Sequence, residues 1–293
     1  MSDNASWIKT FTLGSAKEQR DLRIQVFQNT LQACQHEWLV DGEHQELDAL
    51  LLKKMQEGTE ILPYLKLSRP LRSSAYSETI FEVLKIDTFD LTKQLIDEGL
   101  FPAALNMANG YHPGGGVEIG AAAQEESLFR RSNLHLALYK QMNPSLMKQL
   151  KRSYRIPEHG VIYTPSVQVL RDSEAHGYSF ITPYTVCVIS AAPYDLRVPV
   201  GDCPTTEIEY IEGTQKKIRS ILRAAAFKEH DSVVLGAMGC GIYENDPEIV
   251  AKLFYDIFQE EEFIGQFSKV AFGVLTLNRY DEKNFESFQK FFS

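Results

Sequence analysis

The sequence predicts an α/β protein with a mixed, largely parallel sheet flanked by helices and a helical extension at its N-terminus. From residue 79 onward, short apolar runs, two of them rich in β-branched residues, alternate with helical patterns, which favours parallel strands covered by helices on both faces. Before residue 79 the patterns are helical or irregular. We therefore expect residues 1–78 to form an accessory region packed on a core of residues 79–293.

Helices are predicted in the first part of the chain, between irregular segments. Residues 1–15 have no clear pattern and are interpreted as a loose leader. Beyond Ile24, apolar residues up to Trp38 recur at steps of three and four, which indicates one face of a helix. A weaker helical pattern covers residues 47–55. Two prolines and a serine cluster predict an irregular connector at residues 57–78.

Strands and helices alternate in the second part of the chain. Strands are predicted at residues 79–87, 103–109, 161–170, 184–192, 232–238 and 270–277. A short helix after the first of these strands should end at Gly99, since glycine favours the left-handed conformation that often terminates a helix. We expect a single helix to contain Leu128, Leu134 and Leu138.

Two later helices have recognisable starts. Thr206 and Glu209 form a capping box, in which each side chain accepts a hydrogen bond from the backbone amide of the other residue. Asp246 followed by Pro247 combines a capping side chain with a proline in the first helical position. A short Phe-rich helix should follow the last strand.

The charge of the chain limits the classes of function. The 39 acidic residues outnumber the 30 basic ones, and the formal net charge is -9. A general nucleic-acid coat protein is excluded, because neutralising phosphates needs clustered Lys and Arg, and no direct nucleic-acid binding is expected. One phosphorylated ligand held by backbone amides stays possible, because those amides carry no formal charge.

The cysteine and histidine patterns predict neither a disulfide framework nor a metal site. The four cysteines are far apart and have no CxxC spacing, and the seven histidines form no HExxH pattern. Separated cysteines fit a reducing compartment. No apolar run approaches the roughly 20 residues needed to cross a membrane, and the N-terminus lacks the pattern of a secretory signal. A cytoplasmic protein without membrane contact is therefore expected.

The segment after the strand at residues 103–109 combines glycines with carboxylates. Its key residues are Gly114, Gly115 and Gly116, followed after seven residues by Gln124, Glu125 and Glu126. Glycines allow a backbone path closed to residues with a Cβ, and so a close approach of a ligand. Neighbouring glutamates on a helix point about 100° apart, so they can contact two atoms of one sugar. A flexible surface loop and a solvated helix start are the alternatives.

A second glycine-containing loop follows the strand at residues 232–238. Gly239 and Gly241 do not form a dinucleotide-binding fingerprint, because no third glycine has the correct spacing. Consecutive exposed amides can instead bind an anion, and a tight strand-to-helix turn is the alternative. Cys240 is expected to be a small packing residue rather than a nucleophile, since nothing indicates a positioned base beside it.

The first loop resembles the signature of poly(ADP-ribose) glycohydrolases, which are enzymes of the macrodomain type. The triple glycine, the seven-residue spacer and the Gln-Glu-Glu sequence carry the resemblance, and the surroundings are similar to the microbial branch: LNMAN, HPGGG and GAAAQEESLFRRSNL. Further segments with counterparts in that branch are EGTEILPY, TPSVQVLRD, VCVISAAP, LGAMGCGIYENDP and VAFGVL. The resemblance implies a macrodomain-like fold and cleavage of ribose–ribose O-glycosidic bonds in poly(ADP-ribose), with no metal or other cofactor.

The resemblance also implies roles for individual residues. Glu126 would be the general acid and then the general base, and Glu125 would hold the hydroxyls of the scissile ribose. Asn109 matches the family asparagine that bonds the distal ribose. The loop that binds the diphosphate would consist of Gly239, Cys240, Gly241, Ile242 and Tyr243, the last standing where the family usually has Phe. The remaining substrate-binding residues would be Gly114, Gly115, Gly116 and Gln124.

Two other functions use the same residues: hydrolysis of a single ADP-ribose from protein or nucleic acid, and non-catalytic binding of ADP-ribose. The intact pair of glutamates favours an enzyme, because a binding protein needs no positioned acid. Glu118 departs from the relatives and leaves open the choice between polymer and single unit. Arg130 and Arg131 are expected at the surface or paired along their helix. The expected partners are ADP-ribose and poly(ADP-ribose), carried on ADP-ribosylated proteins.

Overall fold

The computed structural model describes residues 4–71, 73–150, 153–197 and 203–293. The contacts between Cα atoms divide the chain into two compact units. The first unit consists of Met1–Thr59, His112–Tyr154 and Thr164–Cys187, and the second unit consists of Glu60–Tyr111, Arg155–Tyr163 and Val188–Ser293. The division of the chain after residue 78, expected from the sequence, stays a prediction.

The chain alternates between helices and strands over most of the described residues. The helices are α1 (Asn4–Leu13), α2 (Ala16–Ala33), α3 (Ala49–Gly58), α4 (Tyr64–Leu67), α5 (Thr88–Asp97), α6 (Gln124–Arg131), α7 (Leu134–Leu138), α8 (Pro144–Leu150), α9 (Glu207–Phe227), α10 (Pro247–Phe258) and α11 (Arg279–Phe292). The strands are β1 (Trp38–Val40), β2 (Glu43–Gln45), β3 (Glu60–Leu62), β4 (Ile80–Leu84), β5 (Pro102–Met107), β6 (Val161–Arg171), β7 (Phe180–Ala191), β8 (Ser232–Leu235) and β9 (Lys269–Gly273).

The main sheet of the second unit has the strand order β3-β6-β7-β5-β8-β9-β4, and β6 and β7 contribute residues 161–163 and 188–191 to this unit. Three neighbouring pairs, β5 with β8, β8 with β9 and β9 with β4, are parallel, whereas β3 is antiparallel to β6. Helix α5 packs on β5, β8 and β9, and α11 packs on β4. The predicted mixed, largely parallel sheet with flanking helices is confirmed.

Aromatic rings join the helices of the second unit to its sheet. The ring of Phe272 in β9 lies 5.5 Å from that of Phe254 in α10 and 5.0 Å from that of Phe288 in α11, measured between centroids. All three side chains are buried. Since full burial of a phenylalanine stabilises a fold by about 1.5–3 kcal/mol, these contacts hold α10 and α11 on the sheet.

Helix α2 lies at the centre of the first unit. It begins at a capping box formed by Ser15 and Glu18 and buries Phe27 and Thr30. It contacts α1, α6 and the short 3₁₀-helix Val117–Ile119. Helix α2 therefore supports both the start of α6 and the loop that precedes it.

Two expectations for the N-terminal part are wrong. Residues 4–13 form α1 rather than a loose leader, because Trp7 stacks on Phe11 at 4.8 Å and meets the ring of Tyr178 edge-on. The helix expected to reach Trp38 ends at Ala33, and Trp38 instead lies in β1. Trp38 stacks on Phe180 of β7 at 5.7 Å between ring centroids. In both places a contact with a distant segment accompanies the local structure, and periodicity alone does not show it.

Two further expectations need correction. The connector at residues 57–78 contains β3 and α4, and is irregular only in part. The helix expected to contain Leu128, Leu134 and Leu138 is broken into α6 and α7, because Ser132 is extended and forms an antiparallel bridge with Val169. This bridge ends α6 directly after Arg131.

The remaining elements agree with the sequence. The six predicted strands correspond to β4 through β9, although β4, β8 and β9 are shorter than expected and end at Leu84, Leu235 and Gly273. The capping box of Thr206 and Glu209 starts α9, and Asp246 accepts hydrogen bonds from two amides at the start of α10. Among the helices in the described residues, none is both long and apolar enough to span a membrane.

Candidate active site

The glycine loop of the first unit closes tightly around two carboxylates. We name residues 112–126 the acid loop. Gly114 and Gly115 have positive φ angles of 82° and 53°, a conformation that side chains with a Cβ rarely adopt. A Cβ at Gly115 would lie 2.4 Å from Glu126 Oε1 and 3.2 Å from Glu125 Oε2. The position requires glycine both for its backbone angle and for the space that the two carboxylates occupy.

The amides of the acid loop bind the two carboxylates directly. The Gly114 amide donates to Glu125 Oε1 at 3.0 Å, and the Gly116 amide donates to Glu126 Oε1 at 2.8 Å. Both side chains are buried, with exposures of 4% and 7%. Among the described residues, Glu126 Oε2 has no hydrogen-bond partner. The loop thus fixes one oxygen of Glu126 and leaves the other available for proton transfer.

The start of α6 places the glutamates in its first turn. Gln124 is the first residue of α6, and Glu125 and Glu126 follow it. The preceding residue, Ala123, makes no side-chain capping bond. Carboxylates are favourable in the first turn because the unpaired amides there carry partial positive charge.

The second unit holds the other predicted loop, residues 236–246, which we name the amide loop. Gly239 has a φ of 80°, and a Cβ there would lie 2.7 Å from Asn245 Nδ2. Asn245 Nδ2 donates to the carbonyl oxygens of Gly239 and Tyr243 and so holds the two ends of the turn together. Within the described part of the chain, the amides of Gly239, Gly241 and Ile242 have no hydrogen-bond acceptor. Such a set of exposed amides suits an anion.

Asn109 and Tyr243 contact each other within the second unit. Asn109 Nδ2 donates to the Tyr243 hydroxyl at 3.1 Å, and Asn109 Oδ1 accepts from the Tyr111 amide at 2.9 Å. The Arg197 guanidinium lies 5.3 Å from the centre of the Tyr243 ring. Asn109, Tyr111 and Tyr243 border a cavity of about 190 Å³, which Lys217 also lines. The cavity is of a size and polarity that fit part of a sugar or nucleotide.

Comparisons with known proteins identify the family. The sequence matches the family model of the microbial-type PARG catalytic domain over residues 27–172. The poly(ADP-ribose) glycohydrolase of Thermomonospora curvata is 29% identical with a TM-score of 0.78, covering 92% of this chain and 99% of its own. The poly(ADP-ribose) glycohydrolase of Deinococcus radiodurans, solved in complex with ADP-ribose, is 30% identical with a TM-score of 0.70. The match covers 83% of this chain and 98% of the Deinococcus chain. The search of curated proteins gave no match. The chain belongs to the microbial-type poly(ADP-ribose) glycohydrolase family.

The residues that the family resemblance selects fall into two groups in this structure. The first unit brings together Gly114, Gly115, Gly116, Gln124, Glu125 and Glu126. The second unit brings together Asn109, Gly239, Cys240, Gly241, Ile242 and Tyr243. Within each unit these residues form one continuous local arrangement.

Cys240 behaves as the packing residue that the sequence predicts. Its thiol is directed at the carbonyl oxygen of Met238. Burial raises the pKa of Cys240, and the charge of Asp246 raises it further. Because the thiolate is the nucleophilic form, this raised pKa argues against nucleophilic catalysis by Cys240.

Two tyrosines near the glutamates were missed by sequence reasoning. Burial raises the pKa of Tyr139 and of Tyr154, and the negative charge of Glu125 raises both further. For Tyr139 the larger charge effect comes from Glu118. Both phenols stay protonated at neutral pH, and the buried hydroxyl of Tyr154 has no hydrogen-bond partner among the described residues. No motif marks them, because only the tertiary structure brings them to the carboxylates.

The surface position expected for Arg130 and Arg131 is wrong. Both side chains are only 1% exposed, so neither is a surface cation. Helix α6 packs against α2, and Arg131 Nε donates to the carbonyl oxygen of Arg171 in β6. A usable signal existed in the sequence, since Arg130 follows Glu126 by four residues and therefore shares its helix face.

Proposed function

We propose that the chain hydrolyses the ribose–ribose O-glycosidic bond of poly(ADP-ribose) and releases ADP-ribose. The arrangement of Glu126 is the observation that carries this proposal. One of its oxygens accepts from the Gly116 amide, while the other is buried and has no hydrogen-bond partner in the described part of the chain. A carboxyl group held in one orientation with one oxygen available is suited to general acid–base catalysis.

In this mechanism Glu126 moves one proton in each direction. The proton on Oε2 transfers to the ribose oxygen of the leaving unit while the bond between that oxygen and the anomeric carbon breaks. Positive charge develops on the scissile ribose, and the carboxylates and ligand phosphate stabilise it. Glu126 then removes a proton from water as the water oxygen attacks the anomeric carbon, which returns the carboxyl group to its starting state.

Glu125 would orient the substrate in the same mechanism. Its Oε1 is held by the Gly114 amide, so the carboxylate has a fixed position from which to accept hydrogen bonds from ribose hydroxyls. Glu125 is the neighbour of Glu126 in the first turn of α6. Fixed orientation of the reacting sugar lowers the entropic part of the barrier.

The amide loop would bind the diphosphate of ADP-ribose, and the Asn109–Tyr243 pair would bind the distal ribose. The amides of Gly239, Gly241 and Ile242 support the first role, because backbone amides without acceptors bind phosphate oxygens without adding formal charge. The solved relatives were crystallised with ADP-ribose and with the inhibitor ADP-HPD.

The proposal extends to partners and location. The chain would bind ADP-ribose that is attached to proteins. It would be located in the cytoplasm, because four cysteines without close spacing fit a reducing compartment.

Product analysis tests the proposed function. The full chain is incubated separately with poly(ADP-ribosyl)ated and mono(ADP-ribosyl)ated protein, and the products are separated by chromatography. We expect the wild type to release free ADP-ribose from the polymer. The Glu126→Gln control should bind ADP-ribose but should not cleave the polymer. Release from the single-unit substrate alone would favour a mono-ADP-ribosyl hydrolase. Binding by the wild type without any turnover would favour a non-catalytic binding protein.

A further inference from the structure

Within the first unit, three hydrogen bonds and one turn of α6 form a closed ring that includes Glu126, the proposed general acid. The Gly116 amide donates to Glu126 Oε1 at 2.8 Å, and the Gly116 carbonyl accepts from the Ala121 amide at 3.1 Å. The Ala121 carbonyl in turn accepts from Arg130 Nη1 at 2.7 Å. Arg130 follows Glu126 by four residues on α6, so the helix itself closes the ring. We name Glu126, Gly116, Ala121 and Arg130 the acid ring.

The guanidinium of Arg130 is buried, and no carboxylate of the described residues forms an ion pair with it. Its Nε donates to the Tyr178 hydroxyl at 3.0 Å. That hydroxyl donates to Glu174 at 3.2 Å, and Glu174 forms a two-point ion pair with Arg23 of α2. Burying a charged group is costly unless its hydrogen bonds are satisfied. A charged side chain in this place therefore needs a reason other than stability, and the fixed geometry of the acid loop supplies one.

The ring restricts the one amide on which the orientation of Glu126 depends. A Cβ at Gly116 would lie 2.8 Å from the Ala121 Cβ, so these two residues already touch closely. If the Ala121 carbonyl lost its donor, the contact with Gly116 would loosen and the Gly116 amide would move. Glu126 would then lose the bond that fixes its Oε1 and that directs Oε2 toward the substrate. A displacement of about 1 Å is enough to lower a rate about 100-fold.

We propose that Arg130 is a positioning residue for the general acid. It acts through Ala121 and Gly116 and does not touch the substrate. Its role in turnover rests on the proposed function, since it concerns the group to which that function assigns the proton transfer. Its role in holding the Gly116 amide is a property of the fold and is independent of the substrate.

Arg131 provides a matched control. It is the neighbouring residue on α6, it has the same exposure of 1%, and its Nε donates to the carbonyl oxygen of Arg171 in β6. Replacement of either arginine by methionine removes one buried guanidinium and keeps a side chain of similar length. The two variants should therefore lose similar stability, whereas only Arg130→Met opens the acid ring.

The first experiment compares the two variants in the full chain. Polymer-cleavage rates, ADP-ribose affinity by calorimetry and melting temperatures are measured for Arg130→Met, Arg131→Met and Arg130→Lys. We expect kcat to fall about 10- to 100-fold in Arg130→Met with ADP-ribose affinity within about threefold, and to stay within about threefold in Arg131→Met. Arg130→Lys should recover part of the rate, because an ammonium group can still donate to the Ala121 carbonyl. Equal kcat losses in both methionine variants, or an unchanged rate in Arg130→Met, would overturn the proposal.

A second experiment separates failure of this proposal from failure of the proposed function. Hydrogen exchange at the Gly116 amide is measured in the wild type and in both methionine variants, with no substrate present. We expect faster exchange in Arg130→Met than in Arg131→Met whether or not the wild type cleaves polymer. Equal exchange in the two variants would reject the acid ring even in an active enzyme. If the wild type is inactive but Arg130→Met exchanges faster, the proposed function is wrong and the ring stands.

Discussion

The acid loop of the first unit and the amide loop of the second unit both depend on glycines, yet they use their backbone amides differently. In the acid loop the amides of Gly114 and Gly116 are occupied by the protein's own carboxylates. In the amide loop those of Gly239, Gly241 and Ile242 have no acceptor among the described residues. The same backbone group therefore orients a catalytic side chain in one loop and is available to an external anion in the other.

Because of this difference, substitutions in the two loops should have different effects. A side chain added at Gly115 would meet the carboxylate oxygens of Glu125 and Glu126, so it would displace the groups assigned to catalysis. A side chain added at Gly241 meets nothing within 4 Å, so it changes only the space open to a ligand. Substitutions in the acid loop should therefore lower kcat, and those in the amide loop should weaken binding.

The largest effect is expected from Glu126→Gln. The amide cannot donate and regain the proton, and loss of one general acid–base typically lowers a rate about 10²- to 10⁴-fold. Affinity for ADP-ribose should stay within a few-fold, because the shape of the side chain is kept. Single-turnover kinetics with polymer and calorimetry with ADP-ribose measure the two quantities. Wild-type turnover in this variant would remove Glu126 from the mechanism.

Gly115→Ala should have the next largest effect. The alanine Cβ would lie 2.4 Å from Glu126 Oε1, which is too close, so the carboxylate must move. We therefore expect kcat to fall about 100-fold. The control is Gly42→Ala, since Gly42 also has a positive φ, of 87°, but a Cβ there meets nothing within 4 Å. Both variants should lose roughly 1 kcal/mol or more of stability from backbone strain. A similar loss of kcat in both would show that strain, rather than displacement of the acid, is responsible.

Gly241→Val should weaken ligand binding without unfolding the chain. We expect roughly tenfold weaker affinity for ADP-ribose and a smaller change for adenosine, because a hydrogen bond to a charged group contributes about 1.5–3 kcal/mol. Gly239→Val is the contrasting variant, since its Cβ would clash with Asn245 and Pro193 and lower the melting temperature. Equal weakening of both ligands by Gly241→Val would argue against a diphosphate on this loop.

The smallest effect is expected from Glu118→Gln. Glu118 is exposed and lies in the 3₁₀-helix of the acid loop, where its charge raises the pKa of Tyr139. Removing this negative charge should reduce repulsion of the anionic polymer and raise the cleavage rate about twofold at low salt. The gain should be smaller at high salt, because salt screens the repulsion. Cleavage rates at two ionic strengths measure this. Identical rates for variant and wild type at both would assign Glu118 no part in substrate choice.

Much of this organisation follows from the sequence because its causes are local. The capping side chains of Thr206 and Asp246 act on amides two or three residues away, so they mark the starts of α9 and α10 without any knowledge of the fold. The strands predicted at residues 161–170 and 184–192, which are rich in β-branched residues, follow from their own composition. The order of Gly114, Gly116 and Glu126 along the chain likewise predicts the acid loop, since all three lie within 13 residues.

Tertiary structure decided the features that depend on distant partners. Helix α1 exists where no periodicity predicts one, because Trp7 meets Tyr178, and α6 stops where Ser132 bridges to Val169. Tyr139 and Tyr154 become neighbours of Glu125 only through folding. Arg130 changes from an expected surface cation to a buried donor because Tyr178 and Ala121 surround it. A sequence pattern reports each residue's own preference, whereas burial depends on residues that are far apart in the chain.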